Sequence, residues 1–174
     1  MQSNSNSSVI FRELEIALTS RDFASADRMT RQLLCDLARK PLPVTPEIVE
    51  QIPKRDLIAI DKLWVDWSDG NFGPQAQTAI WMEIGAPAKI FRYEDMSDAQ
   101  RRSLAESEYE FGYRLGWAEK PRAMTEKSGR GWLGCSYGAD TTTSGALPYE
   151  YLMCSYGYGL IGLVMAAVAA RFSK

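Results

Sequence analysis

The chain has 174 residues, enough for one domain with a substantial hydrophobic core, and its formal net charge of −2 mixes both signs along its length. That balance leaves no electrostatic footprint for DNA or RNA. There is no histidine, which removes His-based acid–base catalysis, Ser-His-Asp and Cys-His nucleophiles, and the commonest zinc and haem ligand, and shifts the expectation toward a binding protein.

Residues 1–8, MQSNSNSS, are polar and read as a disordered tail without the features of a secretion signal, which leaves 9–174 as the folded domain. Apolar residues at 10, 14, 17 and 18 keep to one helical face. Asp22 is the expected N-cap of a second helix reaching residue 39, striped by Phe23, Ala26, Met29, Leu33, Leu34 and Leu37 and stopped by Pro41 and Pro43. Thr45-Pro46 is a cap followed by proline at the first helical position, and Pro53 closes that short helix. Asp56 is then read as the cap of a helix to residue 67, with Leu57, Ile60, Leu63, Trp64 and Trp67 on one side. Ser68-Asp69-Gly70 is a turn signal, because glycine takes positive φ without strain.

Pro74 starts the next helix, which Gly85 ends. Ser97 and Gln100 form a capping-box pattern for a polar helix over 98–109. Residues 118–146 are rich in Gly, Ser, Thr, Lys and Arg and read as a long surface loop, of a length that is usually functional or mobile. An apolar helix over 159–172 follows. No sustained period-two pattern interrupts this. The expectation is a single all-α domain with a long loop before its C-terminal helix.

Cys35, Cys135 and Cys154 are scattered and odd in number, which argues for reduced thiols in a cytosol-like compartment. The glycines of GYGLIG at 157–162 lack the order and flanking strand of a dinucleotide loop. Residues 151–170 carry no charge, long enough for a bilayer span, but tyrosines, glycines and a serine fill the first half. A packed terminal helix is the favoured reading, with a tail anchor or peripheral membrane contact as the alternatives.

Residues 56–81 place Trp64, Trp67, Phe72 and Trp81 around a Gly-Asn-Phe-Gly turn. Helical spacing of Trp64 and Trp67 suits a core. A second cluster, Phe111-Gly112-Tyr113-Arg114-Leu115-Gly116-Trp117, precedes the long loop, and two such clusters also suit the walls of a concave apolar site. Lys62 and Arg114 beside them are candidates to pair with ligand carboxylates, or are plain solvated charges. Both readings stand on residues alone.

The order of blocks resembles the genomes-uncoupled tetrapyrrole-binding family, the magnesium-chelatase accessory proteins of oxygenic phototrophs. The likeness begins at Leu14 and at Asp22-Phe23-x-x-Ala26-Asp27-x-x-Thr30. It is strongest in Ile52-Pro53-x-x-Asp56-Leu57, Ile60-Asp61-x-Leu63-Trp64-Val65, Ser68-Asp69-Gly70-x-Phe72-Gly73, Gln77 and Ile80-Trp81. It continues through Phe111-Gly112-x-x-x-Gly116-Trp117 to Gly145-x-Leu147-Pro148.

The resemblance implies a cupped-hand helical domain that is not an enzyme and that binds protoporphyrin IX or Mg-protoporphyrin. It implies stimulation of magnesium chelatase in chlorophyll biosynthesis through that enzyme's large porphyrin-binding subunit. The ligand-binding residues it points to are Lys62, Leu63, Trp64, Phe72, Ala76, Ile80, Phe111, Arg114, Trp117 and Leu147. No catalytic or metal-ligating residue is implied. The expected location is the cytoplasm of a cyanobacterial-type cell or the plastid stroma, with peripheral thylakoid contact as a further option. A bilin-binding or chaperone-like accessory role, or an interaction module without its ligand, is the alternative. Asn71, Pro74 and Ala146 depart from the family's usual basic residue, aromatic and histidine. Arg122, Lys127 and Arg130 of the long loop offer other carboxylate contacts, and Cys135 is the thiol best placed to attach a bilin, beside its plainer reading as an incidental thiol.

Overall fold

The computed structural model describes residues 3–40, 43–89, 92–118, 143–153 and 161–173, with side chains from Ser7 onward and without that of Met153. Every regular element among them is helical: α1 (Ser3–Thr19), α2 (Phe23–Ala38), α3 (Pro46–Gln51), α4 (Lys54–Ser68), α5 (Pro74–Glu83), α6 (Asp98–Arg114), α7 (Glu150–Met153) and α8 (Ile161–Phe172), with one 3-10 turn at Tyr93–Asp95. The all-α, single-domain expectation holds. Residues 119–142, most of the expected loop, lie outside the described residues, and with them Arg122, Lys127, Arg130 and Cys135.

Local signals set most boundaries. Asp22 accepts from Ser25 N at 3.1 Å, and the Ser25 hydroxyl together with that backbone bond holds the Asp22 carboxyl below its ordinary range. Thr45 caps α3, Ser97 and Gln100 close both halves of a capping box on α6, and Asp69 at φ 54° ends α4 in the left-handed region. Three boundaries differ from expectation. Helix α1 takes in residues assigned to the polar tail, because a helix nucleated by the buried Ile10–Leu14 face propagates into poor formers at little cost. Helix α4 starts at Lys54 with Pro53 as its cap residue, so Asp56 is not the cap but an acid in the first turn, beside the positive end of the helix dipole. Helix α6 runs on to Arg114, since Leu104, Glu108, Phe111 and Leu115 continue one buried stripe past Tyr109.

Helix α8 is the centre of the molecule. Every residue from Ile161 to Ala169 is buried, and α3, α5, α6 and α7 pack on it. Arg171 Nη2 donates to Ile52 O at 2.6 Å and so places a cation at the C-terminal end of α3. The α1–α2 hairpin packs its apolar faces against α4, α3 and α7. The packed-helix reading of the C-terminus is the observed one. No helix among the described residues is long and apolar enough to cross a membrane.

Candidate functional site

The α4–α5 hinge is built by short-range bonds that fold it back on α4. Ser68 Oγ donates to Trp64 O at 2.6 Å and accepts from Phe72 N at 2.8 Å. Phe72 is thereby turned inward to an edge-on contact with Phe23 (5.7 Å) and with Trp64 (6.4 Å), while Phe23 and Trp64 stack at 6.5 Å. Trp64 has no exposed surface, and its Nε1 donates to Thr30 Oγ1 at 2.9 Å. Gly73 follows at φ +119°, and a Cβ there would stand 2.8 Å from Asp61 Oδ1 and 3.3 Å from Trp64 Cβ. Only glycine allows that approach.

A second run of rings lies along α5 and α6. Trp81, Phe111, Trp117 and Tyr149 meet edge to face in sequence at 5.3, 5.7 and 4.9 Å. Trp117 Nε1 donates to Ala146 O at 3.0 Å.

Residues 143–149 form a strap that ties the two runs together. Gly145 N donates to Asn71 O at 2.6 Å, and Gly73 N donates to Leu147 O at 2.9 Å. Gln77 Nε2, from α5, donates to Gly145 O at 2.9 Å and to Pro148 O at 2.6 Å, while Tyr151 Oη donates to Gln77 Oε1 at 2.6 Å. Burial pushes the Tyr151 phenol well above its ordinary range, and the charges of Asp61 and Asp27 add to this, so it remains a donor at neutral pH. Gly145 has φ +77° and lies against α5 and α6, where a Cβ would fall 2.8 Å from Ile80 Cδ1 and 2.9 Å from Leu115 Cδ2. Asn71, which accepts from the strap, Pro74, which directly follows Gly73, and Ala146 in the strap itself all fall at this junction.

The ten residues nominated from sequence separate into three groups. Trp64, Phe72, Phe111, Trp117 and Leu147 are buried among the ring clusters and the strap. Leu63, Ala76 and Ile80 are partly buried at the surface of α4 and α5, with Ile80 beside the strap. Lys62 and Arg114 are on the surface and engaged: Lys62 with Asp66 at 2.6 Å, Arg114 with Glu83 at 2.8 Å and Glu110 at 2.9 Å. Lys62 stands apart on the exposed face of α4, whereas Arg114 directly precedes Leu115, which packs near Ile80 and Gly145. Ala76 and Ile80 of α5 are thus partly buried apolar groups, and Arg114 is a cation tied to Glu83 at the end of the same helix, a combination that suits a flat apolar ligand carrying carboxylates.

Sequence reasoning did not single out three buried acids that cap helices from a distance. Asp27 Oδ1 accepts from Tyr149 N and Glu150 N at 2.9 Å each, at the start of α7. Asp61 Oδ1 accepts from Gln75 N at 2.7 Å in the first turn of α5, and Glu108 Oε2 accepts from Gly162 N at 3.4 Å in the first turn of α8. Their signal was a carboxylate within an apolar stripe, as Asp61 beside Ile60. Burial raises the Asp61 pKa above its ordinary 3.8, with the Gln75 bond pulling the other way. The folded state therefore holds the Asp61 proton more tightly than the unfolded chain. The resulting stability is complete below about 3.8 and lost as pH rises through the folded pKa. Asp61→Asn keeps an acceptor for Gln75 and removes this dependence. Its stability relative to wild type, read by urea unfolding, should increase from pH 4 toward pH 7, and a decrease would contradict the assignment.

The sequence profile of the family described as GUN4-like matches residues 4–149. A chloroplast protein of Arabidopsis thaliana named tetrapyrrole-binding protein is 37% identical over 79 residues, 43% of this chain and 30% of that protein. A Ycf53-like protein of Synechocystis sp. is 42% identical over 78 residues, 41% of this chain and 33% of the relative. A protein of Pyropia yezoensis, ycf53, is 40% identical over 81 residues, 43% of this chain and 33% of the relative. The matched part of the chain thus spans about a third of the length of these relatives. The ligand-free structure of Arabidopsis thaliana GUN4 superposes with a TM-score of 0.59 at 23% identity, covering 92% of this chain and 94% of that one, a likeness of fold. With a profile match over most of its length and a shared fold, the chain belongs to the GUN4-like family.

Proposed function

We propose that this protein is a non-enzymatic tetrapyrrole-binding regulator whose ligand is a porphyrin, protoporphyrin IX or Mg-protoporphyrin. The observation that carries the reading is family membership together with a relative named for tetrapyrrole binding. Features of the surface support the reading. Leu63, Ala76 and Ile80 present partly buried apolar groups to a flat face, and Arg114 suits a propionate at the rim. Trp64, Phe72, Phe111, Trp117 and Leu147 act from behind that surface, by holding the hinge and strap that shape it. With no histidine in the chain, the metal of a bound magnesium porphyrin would be contacted by water, a backbone carbonyl or another side chain.

The regulatory target in this proposal is magnesium chelatase, through its porphyrin-binding subunit, at the entry to chlorophyll biosynthesis. Action in a cyanobacterial cytoplasm or a plastid stroma is consistent with the sources of the relatives. Titration with protoporphyrin IX, Mg-protoporphyrin and biliverdin, followed by tryptophan quenching and the Soret band, tests the ligand. Saturable binding of at least one porphyrin is expected. Binding of biliverdin alone would move the reading to a bilin accessory, and no saturable change with any of the three would remove tetrapyrrole binding. An unchanged chelatase rate in the presence of the porphyrin-loaded protein would remove the regulatory role.

A further inference from the structure

Arg114, the last residue of α6, holds its guanidinium between two carboxylates from different helices. Nη1 meets Glu83 Oε1 of α5 at 2.8 Å, and Nε meets Glu110 Oε1, one turn back on α6, at 2.9 Å. A guanidinium has two edges that can take a carboxylate in bidentate fashion, Nε with Nη2 and Nη1 with Nη2. Each glutamate occupies one nitrogen of one edge, and Nη2, common to both, has no partner among the described residues. Each edge is therefore half filled. The side chains are 36% (Arg114), 70% (Glu83) and 46% (Glu110) exposed, so either glutamate can swing into water when another anion takes its place.

We infer that Glu83 and Glu110 are built-in competitors for an incoming ligand carboxylate at Arg114, and that they set how strongly this protein prefers a carboxylate-bearing ligand over its ester. The inference rests on the tetrapyrrole reading above and adds a specificity device to it. While the site is empty the glutamates hold the guanidinium between α5 and α6. An arriving propionate takes Nη2 first and then completes one edge by displacing one glutamate. The free carboxylate released in that exchange is rehydrated at the surface, so the exchange trades one ion pair for another and its balance tunes affinity.

The test uses the full chain, with deuteroporphyrin IX and its dimethyl ester as probes in parallel fluorescence titrations. The Glu83→Gln/Glu110→Gln protein is expected to bind the dicarboxylate about threefold to tenfold more tightly than wild type, with the diester unchanged. Arg114→Met should bring dicarboxylate and diester affinities together, and adding the two glutamine changes to that background should then do nothing. A gain for the dicarboxylate that persists without Arg114 is a general charge effect and overturns the assignment. So does an unchanged or weakened affinity in the double variant while wild type binds normally. If wild type binds neither probe, the porphyrin reading itself fails, a result distinguishable from both. Glu106→Gln, on an exposed position of α6, controls for a lone charge change and should match wild type.

Discussion

Trp64→Ala is expected to lower the free energy of unfolding by about 4 kcal/mol, because it empties a large volume in a part of the core that cannot collapse around it. Trp64 is enclosed by Phe23 and Phe72 and lies on a helix fixed at its far end by the Ser68 turn. The lost indole also leaves Thr30 Oγ1 without its donor, while Thr30 continues to donate to Ala26 O at 2.9 Å. Trp64→Phe separates the two losses. It keeps an aromatic edge for Phe72 and removes the hydrogen bond, and should cost about half as much. Urea unfolding followed by circular dichroism measures both. A Trp64→Ala protein within about 1 kcal/mol of wild type would show that the cluster is loosely packed and free to serve as a binding cavity. The same argument reaches Phe72. Its ring is a buried member of this cluster, so weaker ligand binding by a Phe72→Ala protein has to be compared with its stability before it is read as a lost contact.

The elements legible in the sequence were those whose instructions are local. Asp22 and Ser25, Thr45 and Ile48, and Ser97 and Gln100 are each three residues apart, and each pair ends up bonded as capping rules dictate. The acids that assemble these helices into one body were not legible, because their partners are distant. Asp61 reaches 14 residues along the chain, Glu108 reaches 54, and Asp27 reaches 122. No local pattern announces such a bond; the only trace is a charged side chain where a stripe should be apolar. The aromatic hinge shows the same divide. Spacing placed Trp64 on a buried face, but it took the Ser68 hydroxyl and the Asn71–Gly145 contact to turn Phe72 inward and to carry the strap across it. The charge of Arg114 was visible, and its engagement by Glu83 from another helix was not.

Gln77→Leu is expected to be among the most damaging single changes in this protein, costing about 4 kcal/mol chiefly through lost hydrogen bonds. The reason is that Gln77 has no exposed surface and every polar atom it carries is used. Its amide nitrogen donates both hydrogens to strap carbonyls, Gly145 O and Pro148 O, and its oxygen accepts from Tyr151, a phenol that burial keeps protonated. Leucine leaves the Gly145 and Pro148 carbonyls unpaired, each worth about 1–3 kcal/mol, and leaves Tyr151 Oη only its weak contact with Met165 Sδ at 3.9 Å. Gln77→Glu distinguishes lost volume from lost donors. The carboxylate is isosteric, yet it sets an acceptor against two carbonyls in a site already made electronegative by Asp61 and Asp27. It should therefore destabilise at least as strongly as leucine at neutral pH and recover part of the loss in acid, where protonation restores one donor. The strap, once released from α5, also loses its register against Asn71 and Gly73, so tetrapyrrole affinity should fall even in the fraction that stays folded. If Gln77→Glu unfolds at the wild-type urea midpoint at pH 7, the strap is held by its backbone bonds to the hinge, and the amide is dispensable.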